Sequence, residues 1–404
     1  MKLHHPKTEH FDKHHESILL SILDNDFYKF TMQQGVIRLF PKASARYRFI
    51  NRGKHSFPPG FAKALRTAVD AMALLELSRE EKKFLRDNCP YLDPVYLDFL
   101  EGYRYDPQEV SIDQKGEELA VNVEGLWYRT ILWEVPLMSL ICELSYRLKH
   151  SERISDEEVI ARTREKIENY NKLKVTVAEF GTRRRHSYDV HRLVLRSLSE
   201  FGGTAFIGTS NVHLAMLHRT KPIGTHAHEW FMYHAAHYGF KMANALGLEN
   251  WVKIYRGDLG IALSDTYTTE VFLRQFDKMF SKLFDGIRHD SGDPLDFAQR
   301  VISHYESMGI DPLTKSIIFS DGLNYEKVAR IEEYCRGRIG MSFGVGTSLT
   351  NDAGPEAMNI VIKMTEARPG NDDWLSVVKL SDEPEKHTGT SEMIRLAKTV
   401  LNIP

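Results

Sequence analysis

The sequence predicts an α/β protein built around an (α/β) barrel, and three observations carry that expectation. Beyond about residue 175, short β-rich runs end in small or polar residues, and most are followed by helical stretches. A polar motif recurs after nearly every run, as it does at the C-terminal ends of barrel strands. No low-complexity linker or repeat of solenoid period divides the chain, so its parts share an interface. An open doubly wound sheet has a similar rhythm, but it gathers its polar motifs at one switch point.

The 404 residues are 42% hydrophobic and 27% charged, which is enough to bury a large core. Residues 1–15 are polar, carry His4, His5, His10, His14 and His15, and read as a flexible tail. An N-terminal α+β domain is expected over 16–150. In it Ala45, Tyr47 and Phe49 alternate with Arg46, Arg48 and Ile50 as in a half-buried strand, and Pro58 to Gly60 marks a turn. Helices follow to about Phe99, then a strand over Glu117 to Val123. The apolar segment Ile131 to Tyr146 is broken by Glu134, Pro136 and Glu143, so it reads as a buried helix too short to cross a bilayer.

The barrel is expected over 151–365. Ser155 with Glu158 forms a capping box, and Val159, Thr163, Ile167 and Tyr170 make one stripe of a helix ending near Leu173. The strand runs are Val175–Phe180, Thr204–Ile207, Pro222–Gly224, Trp251–Tyr255, Gly286–His289, Ile317–Ser320, Met341–Val345 and Asn359–Met364. Residues 366–404 are expected to pack back on the N-terminal domain.

Lys and Arg number 53 against 55 Asp and Glu, a formal charge of -2, so no net field draws the chain to nucleic acid or membrane. Cys89, Cys142 and Cys335 are far apart and lack metal-ligand spacing, which fits a reducing cytoplasm. The strands lead into a series of Gly, Thr, Ser, Arg and Asp motifs. They are Gly181-Thr182-Arg183-Arg184-Arg185, Gly208-Thr209-Ser210-Asn211, Gly224-Thr225-His226-Ala227-His228-Glu229 and Ser264-Asp265-Thr266. The series continues with Arg288-His289-Asp290, Ser320-Asp321-Gly322 and Gly344-Val345-Gly346-Thr347-Ser348. Such turns let backbone N–H and hydroxyl groups approach phosphate, and Arg183 and Arg288 supply cations, so a multi-phosphate ligand is expected. Arg184 and Arg185 read as solvated loop charges. There is no GxxxxGK[ST], and Gly344-Val345-Gly346 lacks the third glycine of a dinucleotide fingerprint. A metal-dependent hydrolase is the rival, because His226 and His228 after a strand would share one face. Its HxH, however, falls in the third run rather than the first. A non-catalytic nucleotide-binding regulator is a third option.

Four motifs now stand in order: Asp24-Asn25-Asp26-Phe27-Tyr28-Lys29-Phe30-Thr31-Met32-Gln33, Glu179-Phe180-Gly181-Thr182-Arg183, Gly224-Thr225-His226-Ala227-His228-Glu229 and Phe343-Gly344-Val345-Gly346-Thr347-Ser348. Together, over Ser21 to about Thr365, they resemble the bacterial nicotinate phosphoribosyltransferases, of the type II phosphoribosyltransferase family. Gly224 to Trp230 is more similar to this branch than to the related nicotinamide enzymes, although His226 stands where a residue such as Met is expected. The resemblance implies an irregular (α/β) barrel with the N-terminal α+β domain packed against it. It also implies joining of nicotinate to phosphoribosyl pyrophosphate, with ATP hydrolysis coupled through a phosphohistidine. By the resemblance His228 is the phosphorylated residue, with Glu229 or another carboxylate orienting it, and His226 faces the same side.

Asp290 and Asp265 are the other expected catalytic residues, Asp265 toward Mg²⁺-bound pyrophosphate. Nicotinate is expected at Tyr28, Phe180, Arg288 and Ser210. Phosphoribosyl pyrophosphate is expected at Arg183, Asp290, Ser320, Asp321, Gly322, Gly346 and Thr347. Mg²⁺ and ATP are the implied cofactor and co-substrate. The implied assembly is a head-to-tail homodimer in which Tyr28 reaches the partner's barrel.

Overall fold

The computed structural model describes residues 18–403, so the expected tail at 1–15 lies outside them. The first third supplies β1 (Ser44–Asn51), β2 (Val110–Lys115) and β3 (Glu118–Leu126). The middle supplies β4 (Val177–Glu179), β5 (Phe206–Thr209), β6 (Arg256–Leu259), β7 (Ile261–Leu263), β8 (Gly286–His289), β9 (Ser316–Phe319) and β10 (Gly340–Val345). The end supplies β11 (Ile360–Arg368) and β12 (Leu375–Ser376).

One sheet is antiparallel, in the order β12-β11-β1-β3-β2. β1 holds its centre because Ala45, Tyr47 and Phe49 are buried while Arg46 faces out, where it pairs with Glu124 at 2.9 Å and Glu366 at 3.1 Å. The second sheet is parallel throughout, in the order β5-β4-β10-β9-β8-β7, and is the expected barrel wall. The gap between β5 and β7 is spanned by residues 221–225. Thr209 N–H donates to Lys221 O at 3.1 Å, Ile223 N–H to Thr209 O at 2.8 Å, and the Thr225 hydroxyl to Ile261 O at 3.2 Å. This irregular stave is all that forms of the expected strand Pro222–Gly224.

Two other expected runs take different places. Trp251–Tyr255 ends the helix Ala243–Tyr255, because Gly247, Leu248, Trp251, Ile254 and Tyr255 continue a buried stripe at helical spacing. Asn359–Met364 leads into β11, which returns to pair with β1 rather than joining the barrel. The helix Asp156–Leu173 buries Val159, Thr163, Ile167 and Tyr170, with the Ser155 hydroxyl accepting from Glu158 N–H.

The N-terminal helix Phe27–Leu39 docks directly on the barrel mouth: Phe27 N–H donates to Ser210 O at 2.7 Å, and Asp26 bridges Asn211. One continuous hydrophobic core joins the two sheets. The segment after β11 divides. Leu375–Ser376 adds a strand to the antiparallel sheet, residues 377–388 strap across the barrel mouth, and the helix Ser391–Leu401 lies by Phe240–Met242. Only the first of these has the seat on the N-terminal part that the sequence suggests. Among the described residues no helix is long and apolar enough to cross a membrane.

Candidate active site

A cavity of about 920 Å³ opens where the parallel strands end, under the helix Phe27–Leu39. Every barrel motif except Ser264-Asp265-Thr266 reaches its wall.

His228 opens the helix His228–Tyr238, which puts its ring at the barrel mouth. Its Nδ1 lies 3.0 Å from Thr266 Oγ1, and its Nε2 lies 2.9 Å from Asp290 Oδ2 and 2.8 Å from Lys379 Nζ. Nε2 therefore faces an acceptor and a donor at once. The protonated ring satisfies Asp290, and the ring with a bare Nε2 satisfies Lys379. Burial, then the Lys379 charge, lowers the imidazole pKa against the pull of Asp265 and Asp290, so the ring is neutral at pH 7.

The Asp290 pKa is lowered as well, which in a carboxyl favours the charged form. Burial acts to raise its pKa, but Arg288, the His228 contact and Lys379 together hold it well below the usual range. Ser320 Oγ donates to its Oδ1 at 2.9 Å, and Arg288 Nη2 lies 3.6 Å away. Asp265 lies behind this layer, off the cavity wall. Its Oδ2 accepts from Ser291 Oγ at 2.6 Å and faces Lys379 Nζ at 3.6 Å, while its buried Oδ1 has no hydrogen-bond partner. One ligand atom each of His228, Asp265 and Asp290 lies within 4.8 Å of the others.

Tyr28, Phe180 and Ser210 also line the cavity. Gly344 is required beneath Phe180, since a Cβ there would stand 2.4 Å from the ring. Ser210 Oγ donates to Asp26 Oδ1 at 2.7 Å. Arg183 lies between Asp26 at 3.6 Å and Glu134 at 3.7 Å. Asp321 accepts from Lys386 Nζ at 2.9 Å, and Gly322, Gly346 and Thr347 complete the rim.

Three expectations are corrected and a fourth is narrowed. His226 does not share a face with His228: because a helix begins at His228, the period of two breaks, and His226 turns into the core against Phe231 and Trp251. Arg185 is no solvated charge. It is fully buried and forks onto Asp24 at 2.7 and 2.8 Å, while Arg184 lies half-buried on the cavity wall, donating to Ile360 O at 3.1 Å. Of the alternatives for the carboxylate that orients His228, Glu229 points away from the ring, to Lys29 and to the Tyr47 hydroxyl at 2.7 Å, and the other carboxylate is Asp290. Tyr28 lies on its own chain's cavity, held there by the Phe27 bond to Ser210, so no partner need supply it.

Sequence reasoning missed Lys379, Lys363 and Lys386, all on the cavity wall. The one available signal was that Val377-Val378-Lys379-Leu380-Ser381-Asp382 ends an apolar pair in polar residues, as the barrel motifs do.

Residues 175–404 match the Nicotinate phosphoribosyltransferase (NAPRTase) family, and residues 23–142 match the NAPRTase N-terminal domain. A nicotinate phosphoribosyltransferase of Chromohalobacter salexigens is 64% identical over 95% of this chain and 98% of its own. One of Desulforapulum autotrophicum is 48% identical over 93% and 97%. The crystal structure of nicotinate phosphoribosyltransferase from Porphyromonas gingivalis superposes with a TM-score of 0.93 at 45% identity, covering 96% of this chain and 100% of that one.

Proposed function

The chain belongs to the nicotinate phosphoribosyltransferase family, and from that premise we propose that its barrel cavity converts nicotinate, phosphoribosyl pyrophosphate, ATP and water to nicotinate mononucleotide, pyrophosphate, ADP and phosphate. The observation that carries the reading is His228, paired with Asp290, in the wall of the same cavity that Tyr28 and Phe180 line.

The pyridine ring lies between Tyr28 and Phe180, where stacking contributes about 0.5–1.5 kcal/mol per pair beyond area burial. Its carboxylate meets Arg288, with Ser210 beside the ring. Arg183 faces the pyrophosphate and Asp290 the ribose, with Ser320, Asp321 and Gly322 beside it, while Gly346 and Thr347 hold the 5′-phosphate. The ring nitrogen attacks C1 as the bond to pyrophosphate breaks, and the Asp290 carboxylate steadies the cation-like carbon.

The neutral His228 ring accepts the γ-phosphoryl group as ADP leaves, and water later releases it as phosphate. Lys379 neutralises the phosphoryl oxygens there. Asp265 and Asp290 suit Mg²⁺, since they offer oxygen donors and the buried Asp265 Oδ1 has no partner. The ion, when bound, neutralises leaving-group charge.

A homodimer and a cytoplasmic setting belong to the same reading. The dimer rests on the resemblance, and the setting is supported by three buried free cysteines. Sedimentation gives the mass.

The test compares nicotinate with nicotinamide, with and without ATP, and locates label from γ-labelled ATP after alkaline digestion. Expected are preference for the acid, ATP stimulation and label on His228. Label elsewhere, or full stimulation in His228→Asn, overturns the phosphohistidine. Tightly bound zinc with ATP-independent hydrolysis favours a hydrolase instead.

A further inference from the structure

Glu179 ends β4 immediately before Phe180, and it is buried with no access to the cavity. A carboxylate at such depth is costly unless its lone pairs are met. Here four donors from four parts of the chain meet them. Oε1 accepts from Gly181 N–H, in the turn after Phe180, and from Thr350 Oγ1 at 2.5 Å. Oε2 accepts from Thr209 Oγ1 at 2.5 Å and faces His191 Nε2 at 3.1 Å. Burial acts to raise its pKa, but His191 and the hydroxyl donors bring it below the ordinary value, so the group stays ionised.

Three of the four donors belong to the pieces that carry the proposed ligand contacts, while His191 sits on the helix Tyr188–Phe201, away from the cavity wall. Gly181 follows Phe180, and Thr209 precedes Ser210, both at the ring end. Thr350 closes the short helix Thr347–Thr350, whose start forms the 5′-phosphate end. The packing leaves no slack, because a Cβ on Gly181 would stand 2.2 Å from Thr350 Oγ1 and 2.6 Å from Glu179 Oε1.

We propose that Glu179 is a positioning residue that fixes the spacing between the ring pocket and the 5′-phosphate pocket, so that one mononucleotide engages both. This rests on the proposed site. A ligand that bridges two subsites gains from both only when their separation matches its length, and a misfit loses the gain without weakening either subsite alone. Glu179→Gln removes the charge that the four donors share and puts an NH2 group where one oxygen accepted, so the Thr hydroxyl on that side must reverse from donor to acceptor and the ties rearrange.

The test measures dissociation constants of nicotinate, ribose 5-phosphate and nicotinate mononucleotide for the wild type and for Glu179→Gln. Thr350→Val, which removes one tie and keeps the shape, serves as a second variant should the first fail to fold. Expected are fragment affinities within about threefold of wild type and a mononucleotide affinity reduced about 100-fold in Glu179→Gln, and by a smaller factor in Thr350→Val. Unchanged mononucleotide binding in a folded variant overturns the proposal, as does equal loss of all three ligands. A wild type in which neither fragment competes with the mononucleotide overturns the proposed site, and the spacing role with it.

Discussion

Lys379 Nζ stands 2.8 Å from His228 Nε2, reaching it from 151 residues further along the chain. The same ammonium lies 3.6 Å from the buried Asp265 and 3.9 Å from Asp290 on the cavity wall, so it is a cation shared by the two acids as well as a donor to the imidazole. Lys379→Met should slow labelling of His228 by about 100-fold, the scale expected when one pre-placed stabilising donor is lost. Rapid quenching in alkali gives the rate. Labelling at the wild-type rate in a folded Lys379→Met chain would remove Lys379 from the phosphoryl step.

Arg288 should select the acid. Its Nη1 donates to His226 O at 3.2 Å and its Nε is buried without a partner, so the guanidinium is anchored yet retains a donor. A charge-assisted pairing with the pyridine carboxylate contributes roughly 1.5–3 kcal/mol, so Arg288→Ala should lower kcat/KM for nicotinate by about 10- to 150-fold. Steady-state kinetics that do not change would sink this role.

The sequence was most legible where chemistry and periodicity agreed. Gly286–His289 is β8, and the stripe Val159, Thr163, Ile167, Tyr170 is the buried face of its helix. It was least legible where one residue of backbone decides direction. Arg183, Arg184 and Arg185 are neighbours at a single-turn helix, yet the first two line the cavity and the third is sealed in the core. Nothing in three identical residues marks which way each turns. His226 and His228 differ from expectation for a like reason, since the step from irregular stave to helix falls between them. Lys363 was invisible, and Lys379 marked only by the polar end of Val377-Val378, because β11 and the strap return from the far end of the chain and long-range returns leave no local period.

Asp24 and Arg185 form a fully buried pair, 0% exposed on both sides, with Asn211 also donating to Asp24. Asp24→Asn should cost about 3–5 kcal/mol, because it strands a buried guanidinium. The double variant Asp24→Asn with Arg185→Met should recover part of that loss. Urea unfolding measures both, and a single variant within about 0.5 kcal/mol of wild type, the range of an ordinary surface change, would show the pair to be dispensable.

Lys363 makes a pH prediction. Its Nζ donates to Thr388 Oγ1 at 2.9 Å on the cavity wall, and burial, then the charges of Lys379 and Arg52, push its pKa down to about 7. At pH 8 it is therefore about nine-tenths neutral, and at pH 6 about nine-tenths charged. A bound polyanion favours the ammonium form and raises the pKa, so binding above pH 7 must draw in a proton. Pyrophosphate binding at pH 8 should take up as much as about 0.9 proton more in the wild type than in Lys363→Met, and little more at pH 6. Subtracting the variant cancels the ligand's own titration. Calorimetry in two buffers of different ionisation heat reads the difference directly. The sign follows from the lowered value: affinity in the wild type should fall faster with rising pH between 7 and 9 than in the variant, because each step upward makes the proton harder to recruit. Equal buffer dependence in the two proteins at pH 8 would mean that Lys363 stays neutral beside the anion and takes no part in holding it.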